Sequence, residues 1–165
     1  MVCRDTTPLA GLTAASTYAG TPKQLIHALK YHHQRDAGAV LGIMIAARIP
    51  PECFDAVAAV PVATSRLRQR GYNQAELIAR QAASDLQLPY RRLLWRSRST
   101  QQVGKSRAER LATIEGVFGV RGNVKGKGIL LIDDVCTTGA TLNACAMALL
   151  VAGAGYVWAA VAAKD

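Results

Sequence analysis

Ile129-Leu130-Leu131-Ile132-Asp133-Asp134-Val135-Cys136-Thr137-Thr138-Gly139-Ala140-Thr141 passes from an aliphatic run to an acidic pair to a small, hydroxyl-rich turn. Four successive aliphatics without polar alternation read as a strand buried on both faces, the kind found in helix-covered parallel sheets. An apolar pattern of helical spacing follows the turn, so the turn lies at the positive end of a helix. Its backbone N–H groups and hydroxyls suit a phosphate, and Gly139 lets the backbone approach one closely. Asp133 and Asp134 can accept hydrogen bonds from two vicinal sugar hydroxyls. An acidic pair alone would also fit a solvated strand end with a capping acid. The whole string points instead to a ribose phosphate.

The rest of the chain alternates in the same way. Gly20-Thr21-Pro22 predicts a helix start, with Thr21 as N-cap, Pro22 at the first helical position, and Leu25, Ile26 and Leu29 on one face. A second helix opens at Asp36, has Ala37, Val40, Leu41, Met44 and Ile45 as its apolar face, and ends at Pro50-Pro51. Residues 55–62 read as a buried strand ending around Pro61, and residues 64–70 as a basic loop or short helical turn. Asn73 begins another helix, with Glu76 in the capping-box position and Ala75, Ile78, Ala79, Ala82 and Leu86 at helical spacing. Short strands are expected at 91–95 and 117–120, separated by a long polar loop over 97–109. The strand over 128–132, a helix over 141–151 and a strand over 156–163 complete the pattern. This alternation predicts an α/β fold, a parallel β-sheet flanked by helices. Ligands of such sheets bind beyond the C-terminal strand ends. Asp133 and its turn share that end with Val62, Ala63, Thr64 and Arg66.

A chain of 165 residues suits a single domain over 1–165. It has no apolar run of membrane-spanning length, and Met1-Val2-Cys3-Arg4-Asp5 lacks an apolar signal region. No membrane span and a cytoplasmic location are expected. Cysteines at 3, 53, 136 and 145 form no C-x-x-C pair, which argues against structural zinc. Cys145 falls on the apolar face of the last helix, and Cys136 reads as a small filler in the turn. The net charge of +9 implies an anionic partner without choosing between a polyphosphate and nucleic acid. Arg91, Arg92, Arg96, Arg98, Lys105, Arg107 and Arg110 face one acid, Glu109, in that stretch, and Arg66, Arg68 and Arg70 form a second cluster. Tyr31-His32-His33 does not read as a metal pair, because adjacent side chains diverge on a helix.

The order of the motifs carries a resemblance. The 129–141 string resembles the 5-phosphoribosyl-1-pyrophosphate (PRPP) signature of type I phosphoribosyltransferases. Three further segments agree with it: Leu29-Lys30-Tyr31, Val60-Pro61-Val62 with Arg70-Gly71-Tyr72-Asn73-Gln74-Ala75-Glu76-Leu77, and Arg96-Ser97-Arg98-Ser99-Thr100-Gln101-Gln102 leading to Arg107, Arg110 and Gly116-Val117-Phe118. From Leu25 onward the chain resembles the ComF/GntX family of amidophosphoribosyltransferase-like proteins. The resemblance implies a type I phosphoribosyltransferase fold with a small hood, to which residues 1–20 and 88–95 would contribute. It also implies binding of PRPP with Mg²⁺, and transfer of the phosphoribosyl group to an acceptor the chain does not name. The chain departs from the family at three places. Only Cys3 remains of the Cys-rich N-terminal zinc module usual there. Thr113 replaces a usual Asn. Thr137 stands where some purine-using relatives have an acid, so no general base carries over.

The resemblance gives Asp133 and Asp134 the ribose hydroxyls, beside the positive charge that develops on the sugar. Thr137, Thr138, Gly139, Ala140 and Thr141 would hold the 5-phosphate. Val62, Ala63, Thr64 and Arg66 would receive the pyrophosphate. The 97–109 loop would close and bring Arg98, Lys105 or Arg107 onto the leaving group. No intrinsic metal site is expected; Mg²⁺ would arrive on the substrate, near Asp133 and Asp134. A second class of function stands beside this one: a non-enzymatic protein that binds PRPP, a nucleotide or single-stranded DNA. ComF-like proteins are associated with DNA uptake, and the charge fits, although Tyr90 and Trp95 are the only aromatics near the basic stretch for base stacking. Single-stranded DNA, a competence protein, and a second copy of the chain in a homodimer are the partners left open.

Overall fold

The aliphatic run at 129–132 is the centre of the molecule. The computed structural model describes residues 7–97 and 117–165. In chain order these form β1 (Gly11–Ala14), α1 (Gly20–Tyr31), α2 (Asp36–Ala46), a 3-10 turn (Pro51–Cys53), β2 (Ala56–Ala59), α3 (Thr64–Arg70), α4 (Gln74–Asp85), β3 (Leu94–Arg96), β4 (Phe118–Val120), β5 (Gly128–Cys136), α5 (Ala140–Val151) and β6 (Tyr156–Lys164). Four parallel strands lie in the order β1-β6-β5-β2. Ala59 stands opposite Ile132, and Asp133 opposite Val161. Past β2, the Val57 N–H donates to the Pro89 carbonyl at 3.0 Å, and the Arg91 N–H to the Val57 carbonyl at 2.9 Å. β3 and β4 pair antiparallel as a separate ribbon.

Gly128 through Ile132 are all buried, which requires cover on both faces of β5. Helices α1, α2 and α4 pack on one another and on the sheet, while α5 packs on β5, β6 and the ribbon. Small residues set the spacing: Ala159, Ala160, Ala162 and Ala163 of β6 are fully buried. Gly42 matters for the same reason, since a Cβ there would lie 2.7 Å from the Ile78 carbonyl oxygen and 2.6 Å from Gln81 Cβ. The α2–α4 contact therefore closes only around a glycine. This corrects the expected apolar face of α2. Its buried residues are Ala37, Gly38, Leu41, Gly42 and Ile45, and Val40 is exposed. The stripe is rotated toward the glycines because α4 sits over them.

Other expectations need correction at element ends. Thr21 is not the N-cap of α1; the cap position is Ala19, with no side-chain bond. Asn73 does cap α4, its Oδ1 accepting from the Ala75 N–H at 3.1 Å. Glu76 does not complete a capping box, because its carboxylate is taken by Arg80 and Arg92 at 2.8 and 2.6 Å. The segment 64–70 is helical. The N-terminal stretch, expected in the hood, supplies edge strand β1 instead; its four residues are half-buried and pair with β6. The strand after the turn of α5 runs one residue further than expected, to Lys164, and β5 runs on through the acids to Cys136. Among the described residues, no helix is long and apolar enough to cross a membrane.

Candidate functional site

Because β5 continues to Cys136, Asp133 and Asp134 are held by the sheet itself rather than by a loop. The Asp133 Oδ1 accepts from the Asp134 N–H at 2.8 Å. The Asp134 carboxylate meets the Lys30 ammonium, delivered from the end of α1, at 2.9 Å. Beyond the acids the chain turns at Gly139, which has φ +75 and stands at the N-cap position of α5. Cys136 is buried beneath the turn, and Thr138 Oγ1 accepts from the Ala140 N–H at 3.4 Å. Thr137, Thr138, Gly139, Ala140 and Thr141 line a small cavity of about 50 Å³ at this helix start. A helix N-terminus with hydroxyls around a small recess offers the kind of donors an anion would use.

A larger cavity of about 490 Å³ opens beside it. Asp133, Asp134, Thr137 and Thr141 form one wall. Val60, Pro61, Val62, Ala63 and Arg66, at the end of β2 and the start of α3, form the opposite one. Lys30 and Tyr31 come from α1, Arg70 from the end of α3, Asn73 and Gln74 from the start of α4, and Arg96 from β3. The start of α4 is fixed from two sides. Asn73 Nδ2 donates to the Val60 carbonyl at 2.9 Å, and the buried Tyr72 hydroxyl donates to the Leu29 carbonyl at 2.5 Å. Strand ends, α1 and α4 are thereby locked around one hollow.

The acids and cations here are not equivalent. Burial, and then the neighbouring Asp134 charge, push the Asp133 carboxyl up to about 7, against the Asp134 N–H and the Lys30 charge, which oppose the rise. At neutral pH, Asp133 is poised between acid and carboxylate. Burial alone would raise Glu76, but hydrogen bonds from Arg92 and Arg80 hold it below the usual carboxylate range. Burial, with the Glu76 charge, lifts the Tyr90 phenol to about 12. Burial also lifts the Cys145 thiol, aided by Asp133, so Cys145 is a core residue rather than a nucleophile.

The structure brings Asp133, Asp134, Val62, Ala63, Arg66, Thr137 and Thr141 to one cavity, with Thr138, Gly139 and Ala140 in the adjoining recess. Thr64 faces a neighbouring cleft of about 760 Å³ instead, because the first turn of α3 rotates it away. That cleft carries Tyr90, Trp95, Arg80 and Arg92, and shares Pro61, Val62, Asn73 and Arg96 with the first. Arg98, Lys105 and Arg107, with most of the 97–109 loop, lie outside the described residues. The sequence placed Arg70 and Arg96 in its two basic clusters without assigning either to a wall of this cavity, and it did not single out Lys30 or Gln74 for the site. Lys30 was visible only as part of a family segment, and nothing local marks Gln74 as a wall residue. Among the described residues no three His, Cys, Asp or Glu side chains cluster as metal ligands.

Comparison with known proteins agrees with this architecture. The sequence matches the phosphoribosyl transferase domain family over residues 69–165. The competence protein ComFC of Bacillus subtilis is 36% identical over 107 residues, 64% of this chain and 42% of that protein. ComFC of Streptococcus pneumoniae is 38% identical over 95 residues, covering 58% and 41%. The chain thus spans about two fifths of the length of these relatives. The DNA utilization protein YhgH of Escherichia coli is 26% identical over 159 residues, covering 91% of this chain and 70% of that one. Among solved structures, the glutamine PRPP amidotransferase of B. subtilis superposes with a TM-score of 0.58 at 23% identity, over 78% of this chain and 26% of that chain. At that identity the likeness speaks for the fold. With its parallel sheet, its acidic strand end and its matching sequence, the chain belongs to the phosphoribosyl transferase domain family, has the type I phosphoribosyltransferase fold and is similar in sequence to ComFC.

Proposed function

We propose that the cavity binds PRPP with Mg²⁺ and that the protein transfers the 5-phosphoribosyl group to an acceptor. The observation that carries this is the shared wall: a carboxylate pair and a helix-start anion seat, contiguous at the end of one strand. Arg66 and Arg70 give the hollow positive charge for a diphosphate. The donor set fits a Mg²⁺ carried in on the ligand, since two carboxylates are too few for a protein-held cage and Mg²⁺ keeps phosphate oxygens and waters. Bound there with Asp133 and Asp134, it would neutralise diphosphate charge.

In this reading the bond between ribose C1 and the diphosphate oxygen breaks as the acceptor's lone pair attacks C1. Asp133 and Asp134 orient the hydroxyl edge of the sugar and place negative charge near the cationic ring. Arg66 and its neighbours hold the departing diphosphate. Titration calorimetry with PRPP-Mg²⁺ tests the reading. The wild type should bind, and Asp133→Asn with Asp134→Asn should weaken binding by about 1.5–3 kcal/mol per lost charged contact. A folded double variant with undiminished affinity would refute it.

A second reading is favoured by what the relatives are called, a competence protein and DNA utilization proteins. The aromatic and arginine cleft beside the main cavity suits a stacked base next to a phosphate backbone. Single-stranded DNA binding would fall steeply with salt. It would survive loss of the two acids, and PRPP binding would not.

A further inference from the structure

Gln74 is the one buried polar residue in the core of the described residues, at 3% exposure. Its Nε2 is sealed from solvent and has no hydrogen-bond partner among the described residues. Buried amide N–H groups are seldom left unpaired, because the orphan forfeits its hydration. Gln74 also stands at a defined place. It is the first residue of α4, it contributes to the wall of the 490 Å³ cavity, and it is flanked by the Asn73 side chain bonded to Val60. Val60 is itself bonded to Ile132, the residue before Asp133. The unpaired amide, at the start of α4, and the carboxylate pair, at the end of β5, therefore line the same cavity.

We propose that Gln74 is a sugar-recognition residue: its amide donates to a ring hydroxyl of the same ribose that donates to the Asp133 and Asp134 carboxylates. This rests on the PRPP reading above and adds to it a residue and a selectivity. A hydroxyl both donates and accepts. One hydroxyl can give its proton to a carboxylate while its lone pair takes the Gln74 N–H. A phosphate oxygen cannot do the first, and the cations that would hold a diphosphate, Arg66 and Arg70, sit on α3. The Gln74 Nε2 is sealed in the ligand-free protein, and the terminal torsion of a glutamine is soft, so turning about it is the motion that would present the amide to the hollow. The positive end of α4 adds a favourable field for an oxygen at that point. The consequence is selection for ribose over deoxyribose.

The test compares wild type and Gln74→Met by calorimetry with four probes: ribose 5-phosphate, its 2-deoxy and 3-deoxy analogues, and pyrophosphate. Wild type should prefer ribose 5-phosphate to at least one deoxy analogue by about tenfold, and the variant should lose that preference while keeping its pyrophosphate affinity. The ligand-free variant should also melt about 2–4 °C higher, since an orphan donor has been removed; a merely structural glutamine would give a lower melting point. On the wild type, the Gln74 side-chain NH₂ resonances should shift with ribose 5-phosphate and not with pyrophosphate, whether or not the variant folds. An unchanged preference in the variant, or resonances that follow pyrophosphate, would overturn the assignment and leave the PRPP reading standing. A wild type that binds neither ribose 5-phosphate nor PRPP-Mg²⁺ would instead remove that reading and this inference with it.

Discussion

Replacing Asp133 by Asn should stabilise the ligand-free protein increasingly from about pH 4 to pH 7, and by a constant amount above that. The carboxyl is pushed from an ordinary 3.8 to about 7, chiefly by burial and then by Asp134. Between those values the folded protein keeps a proton that the unfolded chain has lost. Folding is therefore penalised progressively as pH rises from about 4 to 7, and the penalty is constant beyond. The full rise corresponds to at most about 4 kcal/mol, and local relaxation and water entry reduce it, so about 1–4 kcal/mol is expected. Asn carries no charge, and its Oδ1 can still accept the Asp134 N–H that Asp133 accepts at 2.8 Å. Urea unfolding of wild type and variant at pH 5, 6, 7 and 8 measures the difference. The difference in favour of the variant should be smallest at pH 5, where roughly a third of it is present, grow to pH 7 and change little between pH 7 and 8. A variant that is equally or less stable at pH 8 would show that the carboxylate is not under strain in the empty site.

Lys30→Met should act in the opposite sense: it leaves Asp134 beside Asp133 without the ammonium now 2.9 Å away, costing about 1–2 kcal/mol at pH 8, by the same urea unfolding. Glu76→Gln should lower stability by no more than about 1 kcal/mol at pH 7, because Arg80 and Arg92 are largely exposed. Its carboxyl is held low, so that loss should persist at higher pH and disappear as wild type itself is acidified. Gly139→Ala should cost about 1–2 kcal/mol through its positive φ, and should weaken phosphate or PRPP binding further, as read by calorimetry. With a thiol reagent on the native protein, Cys53 should label rapidly, and Cys136 and Cys145 only on unfolding, because the first is exposed and the other two are buried; mass mapping of the labelled cysteines checks it.

The sheet was legible because its strands are hydrophobic without alternation, and few other structures tolerate Ile129-Leu130-Leu131-Ile132 next to two acids. The turn at the start of α5 was legible because its small residues are contiguous in sequence. Strand β1 was not, since Gly11, Leu12, Thr13 and Ala14 are half-buried edge residues with no pattern of their own; they become a strand only because β6 offers an open ladder. The face of α2 was misread because Gly38 and Gly42 carry no hydrophobic signal, yet their lack of a side chain is what admits α4. That Thr64 lines the neighbouring cleft was not legible for a related reason: whether the chain after β2 is loop or helix decides which cleft a threonine faces. Lys30 and Gln74 lie far in sequence from the acids they adjoin, and only the packing of α1 and α4 on the strand ends brings them there.

Three unfavourable arrangements meet in this one hollow. A carboxyl is held far above its usual range, a buried amide lacks a partner, and an ammonium is spent on restraining the second carboxylate. Elsewhere the described core is apolar, and Gln74 is its lone polar member. Destabilising groups scattered at random would not share one wall; gathered together, they read as a site whose native stability is incomplete without its ligand. One molecule with adjacent hydroxyls and a phosphate would relieve all three at once. It would give Asp133 a donor, Gln74 an acceptor and Lys30 a second anion to meet. Ligand binding should therefore raise stability most in the wild type and least in Asp133→Asn, even though the variant is the more stable protein when empty. That inversion follows from the geometry of the hollow, and a purely structural role for these residues would not produce it.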